Sequence, residues 1–102
     1  MKILALAHER PDVDWTQYSR ALEEEAAAIW RLYLDGTVRE MYFTADTGEA
    51  VAILECAGED EARQALAGLP LVREGLLNFE VRALVPYDSF ERLFRVKAPK
   101  QG

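Results

Sequence analysis

Strand-like and helix-like stretches follow one another along this chain in the order strand, helix, strand, strand, helix, strand. Residues 2–8 form a short apolar run, which is typical of a central strand. Residues 37–44, 50–57 and 77–85 have the composition and alternation of three further strands. The turn residues 46–48 predict that the second and third strands form a hairpin. With right-handed crossovers, this order predicts a four-stranded antiparallel sheet with two helices on one face.

The first helix is predicted to begin near Trp15 and to end at Gly36. Asp14 lies three residues before Gln17, a variant of the capping box that satisfies the first amides of a helix. Apolar residues recur at three- and four-residue steps along one face: Trp15, Tyr18, Leu22, Ala26, Ile29 and Tyr33.

The second helix is predicted over residues 58–69, with Pro70 preventing its continuation. Asp88 lies three residues before Glu91, which predicts a capped terminal turn of helix. In that turn three apolar side chains could dock: Phe90, Leu93 and Phe94.

Apolar residues lie on both predicted faces of the sheet, although two helices can cover only one. Strand parity places the regular apolar set of strand four against the helices and leaves Glu80 and Arg82 on the other face. The hairpin residues expected beside them are Val51, Ile53, Met41 and Phe43. We therefore expect a second copy of the chain to cover this face and to enclose the site between the two sheets.

Length and charge restrict the class of protein. A chain of 102 residues has the size of one domain, which we expect over residues 1–96, followed by a flexible tail over 97–102. The net charge of −6 argues against nucleic acid as a partner. No apolar run is long enough to span a bilayer, and the single cysteine, Cys56, excludes an internal disulfide and a cysteine zinc cluster. The expected compartment is the cytoplasm, without a membrane partner.

A set of residues spread over most of the chain resembles muconolactone isomerases and related dimeric α/β-barrel proteins. The set comprises Leu69-Pro70-Leu71, Gly75, Phe79-Glu80-Val81, Glu25, Gly36-Thr37, Arg39 and Tyr42. The resemblance covers residues 22–86. The chain departs from the family pattern at Tyr42, where a tryptophan is expected, and at Tyr87-Asp88, where basic residues are expected.

This resemblance implies a ferredoxin-like βαββαβ fold whose protomers pair into a dimeric α/β barrel or assemble into higher oligomers. The namesake enzyme shifts a proton and a double bond in an unsaturated lactone without a metal or an organic cofactor. We therefore expect no cofactor, a small-molecule ligand, and a homodimer or higher homo-oligomer.

Glu25 and Arg39 are the leading candidate catalytic residues. Glu25 lies three residues after Leu22 on the edge of the apolar helix stripe, where burial would raise its pKa and suit it to act as a base. The alternative is that Glu25 belongs to the solvated glutamate run 23–25. Arg39 could clamp a carboxylate or an enolate, or instead form an ion pair with Glu55 or Glu80.

Tyr42 and His8 are the other two candidates. Tyr42 could donate a hydrogen bond to a substrate oxygen, but its strand parity is opposite to that of Arg39, so that both face one pocket only if the strand contains a bulge. A core or edge position is the alternative for this tyrosine. His8, the only histidine, is the alternative proton shuttle, against a structural role at the end of the first strand.

The sequence therefore favours a cofactor-independent enzyme that transfers a proton on a small organic acid, lactone or other carbonyl compound. A cofactorless monooxygenase of the same barrel type is the alternative enzyme. A non-catalytic ligand-binding or oligomerisation module is the alternative class. An RNA-binding module is excluded by the acidity of the chain and by the absence of aromatic residues on the third strand.

Overall fold

A computed structural model describes residues 1–95, and the tail predicted over 97–102 lies outside this range. The strands are β1 (Lys2–Glu9), β2 (Val38–Phe43), β3 (Ala50–Glu55) and β4 (Leu77–Leu84). The helices are α1 (Ser19–Leu34), α2 (Glu59–Ala67) and the short α3 (Pro70–Arg73), with 3-10 turns at Trp15–Tyr18 and Ser89–Leu93. The strands form one antiparallel sheet in the order β2-β3-β1-β4. This arrangement confirms the predicted ferredoxin-like fold.

Two of the predicted helix signals, at Asp14 and Gly36, act at their predicted positions, although α1 begins later than predicted. The Asp14 carboxylate accepts a hydrogen bond from Thr16 N at 3.1 Å and so caps the 3-10 turn, while α1 itself begins only at Ser19. Gly36 ends α1 with a φ of +87°, a left-handed conformation that glycine adopts without a steric penalty. α2 ends at Ala67, before the predicted stop at Pro70, and Pro70 instead opens α3, because a proline at the first helical position has no amide to satisfy.

A β-bulge in β2 reverses part of the predicted face assignment. The register shifts between Val38 and Glu40, so that Met41 pairs with Ala52, and Phe43 with Ala50, on the helix side of the sheet. The expectation that Met41 and Phe43 lie on the outer face is therefore wrong, because the bulge at Arg39 adds one residue and exchanges the faces beyond it.

The outer face of the sheet, opposite the helices, carries an aliphatic stripe on its two central strands. Leu4 pairs with Ile53, and Leu6 with Val51, and all four side chains are only half-buried. Glu80 and Arg82 flank the stripe on β4, as predicted. We call these four aliphatic residues the outer stripe.

Residues 85–95, which follow β4, are largely exposed. Asp88 makes no side-chain capping hydrogen bond. Phe90, Leu93 and Phe94 are 63%, 75% and 80% exposed, so the docking suggested for them does not occur on the described part of their own protomer. Beyond Leu84 the chain leaves the sheet, and Pro86 lacks the amide that would continue the strand ladder.

The core consists of two apolar clusters on the helix side of the sheet. One is centred on Ile3, Leu54 and Leu66 beneath α2, and the other on Leu71 and Leu76 beside α3. Among the sixteen residues of α1, all within the described range, Glu25 alone is buried. α1 packs against the core through half-buried side chains such as Ala28, Ile29 and Leu32, and a gap remains between the helix and the sheet beside Glu25. Within residues 1–95, no helix combines the length and apolarity needed to cross a bilayer.

Candidate functional site

The gap between α1 and the sheet is a pocket of about 280 Å³. Apolar side chains form most of its wall, and the helical side contributes Trp15, Leu22, Ala26, Ile29 and Leu71. The sheet contributes Met41, Phe43, Ala50 and Phe79. Two carboxylates, Glu9 and Glu25, are the charged residues of the wall. The pocket is formed within one protomer, and the chamber expected between two sheets stays a prediction.

Glu25 lies in this wall as a buried carboxylate. Its side chain faces the sheet because it lies three residues after Leu22 and four before Ile29 along α1. It is 6% exposed, whereas its neighbours Glu23 and Glu24 are exposed. The burial expected for Glu25 is thus observed, and the alternative of a fully solvated glutamate run does not hold at this position.

One oxygen of Glu25 holds the start of α3. Its Oε1 accepts a hydrogen bond of 3.0 Å from the backbone amide of Leu71. Leu71 is the second residue of α3, where a backbone amide has no partner within the helix. Glu25 therefore caps α3 from another element, which fixes the position of its carboxylate.

The second oxygen of Glu25 remains available. Oε2 takes part in no hydrogen bond among the described residues. Every fully buried side-chain oxygen or nitrogen in residues 1–95 has a hydrogen-bond partner, so Oε2, which has none, is not fully buried. Because Glu25 lines the pocket, solvent reaches this oxygen through the pocket. Burial raises the pKa of the Glu25 carboxyl above its ordinary value, and the Leu71 amide opposes this shift only in part. Such a carboxylate is a stronger base than an exposed glutamate.

Two variants separate the capping role of Glu25 from its charge. Glu25→Ala should lower the free energy of unfolding by about 1–3 kcal/mol, because the buried Leu71 amide loses its acceptor. Glu25→Gln keeps an acceptor oxygen and removes the charge that burial disfavours. Chemical denaturation at pH 7 measures both effects. Equal stability of the alanine variant and the parent protein would contradict the capping role.

The stability of the glutamine variant should also depend on pH in a defined direction. The pKa of Glu25 is raised by folding, so the folded state binds its proton more readily than the unfolded state. The resulting stabilisation is complete below the ordinary glutamate pKa and is lost as the pH rises through the raised value. The stability of Glu25→Gln relative to the parent should therefore increase from pH 4 to pH 7.

His8 lies on the opposite side of the sheet from Glu25. It pairs with Asn78 across β1 and β4. Its Nε2 is 3.0 Å from Glu80 Oε1, and its Nδ1 is 3.6 Å from Glu49 Oε2. The hydrogen bond from His8 is the largest influence that lowers the pKa of Glu80. His8 thus belongs to an exposed polar cluster on the outer face and does not line the pocket.

Arg39 and Tyr42 do not meet Glu25 either. Arg39 lies in the β2 bulge, and its Nε donates a 2.6 Å hydrogen bond to the carbonyl of Gly36. Tyr42 pairs with Val51 on the outer face, and its hydroxyl donates to Glu40 Oε1 at 2.6 Å. That contact raises the pKa of the Tyr42 hydroxyl. Of the four sequence candidates, Glu25 alone lines the pocket.

Two lining residues escaped sequence reasoning. Glu9 ends β1 on the helix side, a position fixed by the alternation of Ile3, Ala5 and Ala7. The sequence predicts Trp15 for the apolar helix stripe, and its indole is also the one side chain with an N–H group among the described lining residues. Strand parity was the available signal for Glu9. Within residues 1–95, no three side chains of the metal-binding types converge.

Comparison with known proteins finds solved structures that share this fold. No protein-family model matches the chain, and neither does any curated protein sequence. A solved structure of muconolactone isomerase superposes with a TM-score of 0.72 at 21% sequence identity, covering 87% of this chain and 93% of that one.

A second match is the 5-chloro-2-hydroxyhydroquinone dehydrochlorinase TftG from Burkholderia phenoliruptrix AC1100, solved in complex with 2,5-dihydroxybenzoquinone. It superposes with a TM-score of 0.58 at 21% identity and covers 83% of this chain and 94% of that one. Identity at this level establishes the fold alone. The chain therefore has the muconolactone isomerase-like, ferredoxin-like fold that its sequence resemblance predicts.

Proposed function

We propose that this protein is a cofactor-independent enzyme that moves a proton on a small carbonyl compound, with Glu25 as the base. The observation that supports this proposal is a buried carboxylate with one oxygen held by the Leu71 amide and the other open to an apolar pocket. The likeness in fold to muconolactone isomerase agrees with it. A pocket of about 280 Å³ suits one small ring, since a cavity of about 150 Å³ already accommodates benzene.

The reaction requires only atoms of the substrate and of Glu25. Glu25 Oε2 takes a proton from the carbon beside the carbonyl, and the electrons of that C–H bond form a new double bond as the carbonyl oxygen gains negative charge. The protonated Glu25 then returns the proton to another carbon of the conjugated system, and the carbonyl re-forms. Substrate and product contain the same atoms, and the carboxylate is regenerated.

The pocket walls promote proton abstraction more by excluding water than by placing a positive charge near the substrate. Proton abstraction is favoured because the apolar walls strip water from the carboxylate. Trp15 supplies the one side-chain N–H group in the wall that could meet the developing oxygen charge. Arg39, which the sequence favoured for this role, is instead engaged by Gly36.

A deuterium-exchange experiment tests this function. A panel of unsaturated lactones, cyclic enones and hydroxyquinones is incubated with the protein in D₂O, and loss of the C–H signal beside the carbonyl is followed by proton NMR. We expect exchange or double-bond migration in at least one class. Binding of these compounds without deuterium exchange would favour the non-catalytic ligand-binding module. Consumption of oxygen would favour the cofactorless monooxygenase.

The pH dependence of kcat/KM should follow the ionisation of Glu25. The base is active when ionised, so kcat/KM should rise with pH and level off once Glu25 is deprotonated. Because burial raises the pKa of Glu25, the midpoint should lie above the ordinary glutamate value of about 4.3. Steady-state rates between pH 4 and pH 8 measure it. A midpoint at or below the ordinary value would contradict a buried base.

We also propose that two copies of the chain pair through the outer stripe. The stripe is aliphatic and lies on the two central strands, and no helix within residues 1–95 covers it. Antiparallel sheets pack face to face through such surfaces, and an aliphatic stripe is complementary to itself under two-fold symmetry. The pocket lies on the other side of the sheet, so this dimer leaves its mouth accessible.

A further inference from the structure

We infer that the Glu25 pocket takes uncharged single-ring molecules and rejects carboxylate-bearing ones. This inference rests on the proposed function of the same pocket and specifies its substrate class. It departs from the sequence expectation, which allowed an organic acid as substrate and assigned Arg39 to hold its charge.

The charges in the wall all have one sign. Glu25 lies at the inner wall, Glu9 is exposed at the end of β1, and among residues 1–95 no lysine, arginine or histidine lines the pocket. A carboxylate entering this space would lose water without gaining a cation, which is costly in a partly dry site. It would also face like charges, an arrangement that discriminates against a ligand.

Arg10 follows Glu9 and Arg73 lies two residues after Leu71, but neither lines the pocket. Three other described cations on nearby elements are engaged elsewhere. Arg20 on α1 pairs with Glu24 at 3.2 Å, and the Arg39 guanidinium binds the Gly36 carbonyl. Arg82 pairs with Glu80 at 2.7 Å on the outer face. None of these contacts turns a cation toward the gap beneath α1.

The apolar walls favour a flat ring. Trp15, Phe43 and Phe79 contribute aromatic surface, and Ile29 and Met41 contribute aliphatic surface on the same pocket. The volume of about 280 Å³ holds one ring with small substituents. An uncharged lactone, enone or hydroquinone satisfies both conditions and still presents an acidic C–H or O–H group to Glu25 Oε2.

Matched pairs of probes test this inference without requiring turnover. An unsaturated five-membered lactone that carries a carboxylate group is compared with the methyl ester of that group, and 2,5-dihydroxybenzoate is compared with hydroquinone. Dissociation constants are measured at pH 7 by titration calorimetry with the full chain. We expect the uncharged member of each pair to bind at least about tenfold more tightly.

A charge-removal variant identifies the source of the discrimination. Glu9→Gln should reduce the ratio of the two dissociation constants in each pair severalfold. Glu23→Gln, an equal change at an exposed site of α1, should leave this ratio unchanged. Equal binding, or tighter binding of the acids, would overturn the inference, because a cation from elsewhere in the assembly would then reach the pocket. That outcome leaves the proposed function standing if deuterium exchange still depends on Glu25. Failure of every probe to bind would overturn both.

Discussion

Glu25→Gln should lower the rate of proton exchange by about 10²- to 10⁴-fold, the range that general-base catalysis ordinarily contributes. The amide keeps an oxygen that accepts the Leu71 hydrogen bond, so α3 stays capped and the pocket keeps its shape. It cannot accept a proton at neutral pH, so the chemical step loses its base. Because binding in the apolar pocket does not require the negative charge, kcat should fall far more than KM changes.

Two controls make this result specific. Glu23→Gln makes the same change two residues earlier on the exposed side of α1, and its rate should match that of the parent protein. His8→Gln removes the other sequence candidate, which lies on the outer face, and should also leave exchange intact. Retained exchange in Glu25→Gln, or loss of exchange in His8→Gln alone, would contradict the assignment of the base.

The fold could be predicted from the sequence because its signals are local. The strand runs, the hairpin turn and Gly36 each lie within one element, and the order of elements leaves few topologies. Helix spacing also made a buried Glu25 one of two alternatives, since residues three and four apart share a face, and it did not decide against a solvated glutamate run. These features depend on neighbours along the chain and need no knowledge of packing.

The rest of the site could not be predicted, because it depends on one inserted residue and on a gap. The bulge at Arg39 moves Met41 and Phe43 into the pocket wall, and the sequence of β2 does not indicate which residue forms the bulge. A helix that stands off the sheet has the same apolar periodicity as one that packs against it. The convergence of Glu9 with Glu25 therefore appears only once β1 and α1 are placed together.

Ile53→Glu should convert the proposed dimer into a monomer. Ile53 lies in the outer stripe between Leu4 on β1 and Glu40 on β2. In a symmetric dimer the change places two unpaired carboxylates in an apolar interface, each costing several kcal/mol, so the dissociation constant should rise by at least about 10³-fold. Light scattering coupled to size exclusion at about 10 μM, together with sedimentation velocity, measures the change.

The same variant tests whether site and interface are independent. Ile53 is half-buried and faces solvent in one protomer, so the glutamate can be hydrated there and the monomer should keep its fold. The pocket lies on the other side of the sheet, so the monomer should bind the neutral probes as the parent does. Gln64→Glu, an exposed change of equal charge on α2, should leave the dimer intact. A dimer that survives Ile53→Glu would contradict pairing through the outer stripe and would shift the contact to other exposed apolar residues, such as Phe90 and Phe94.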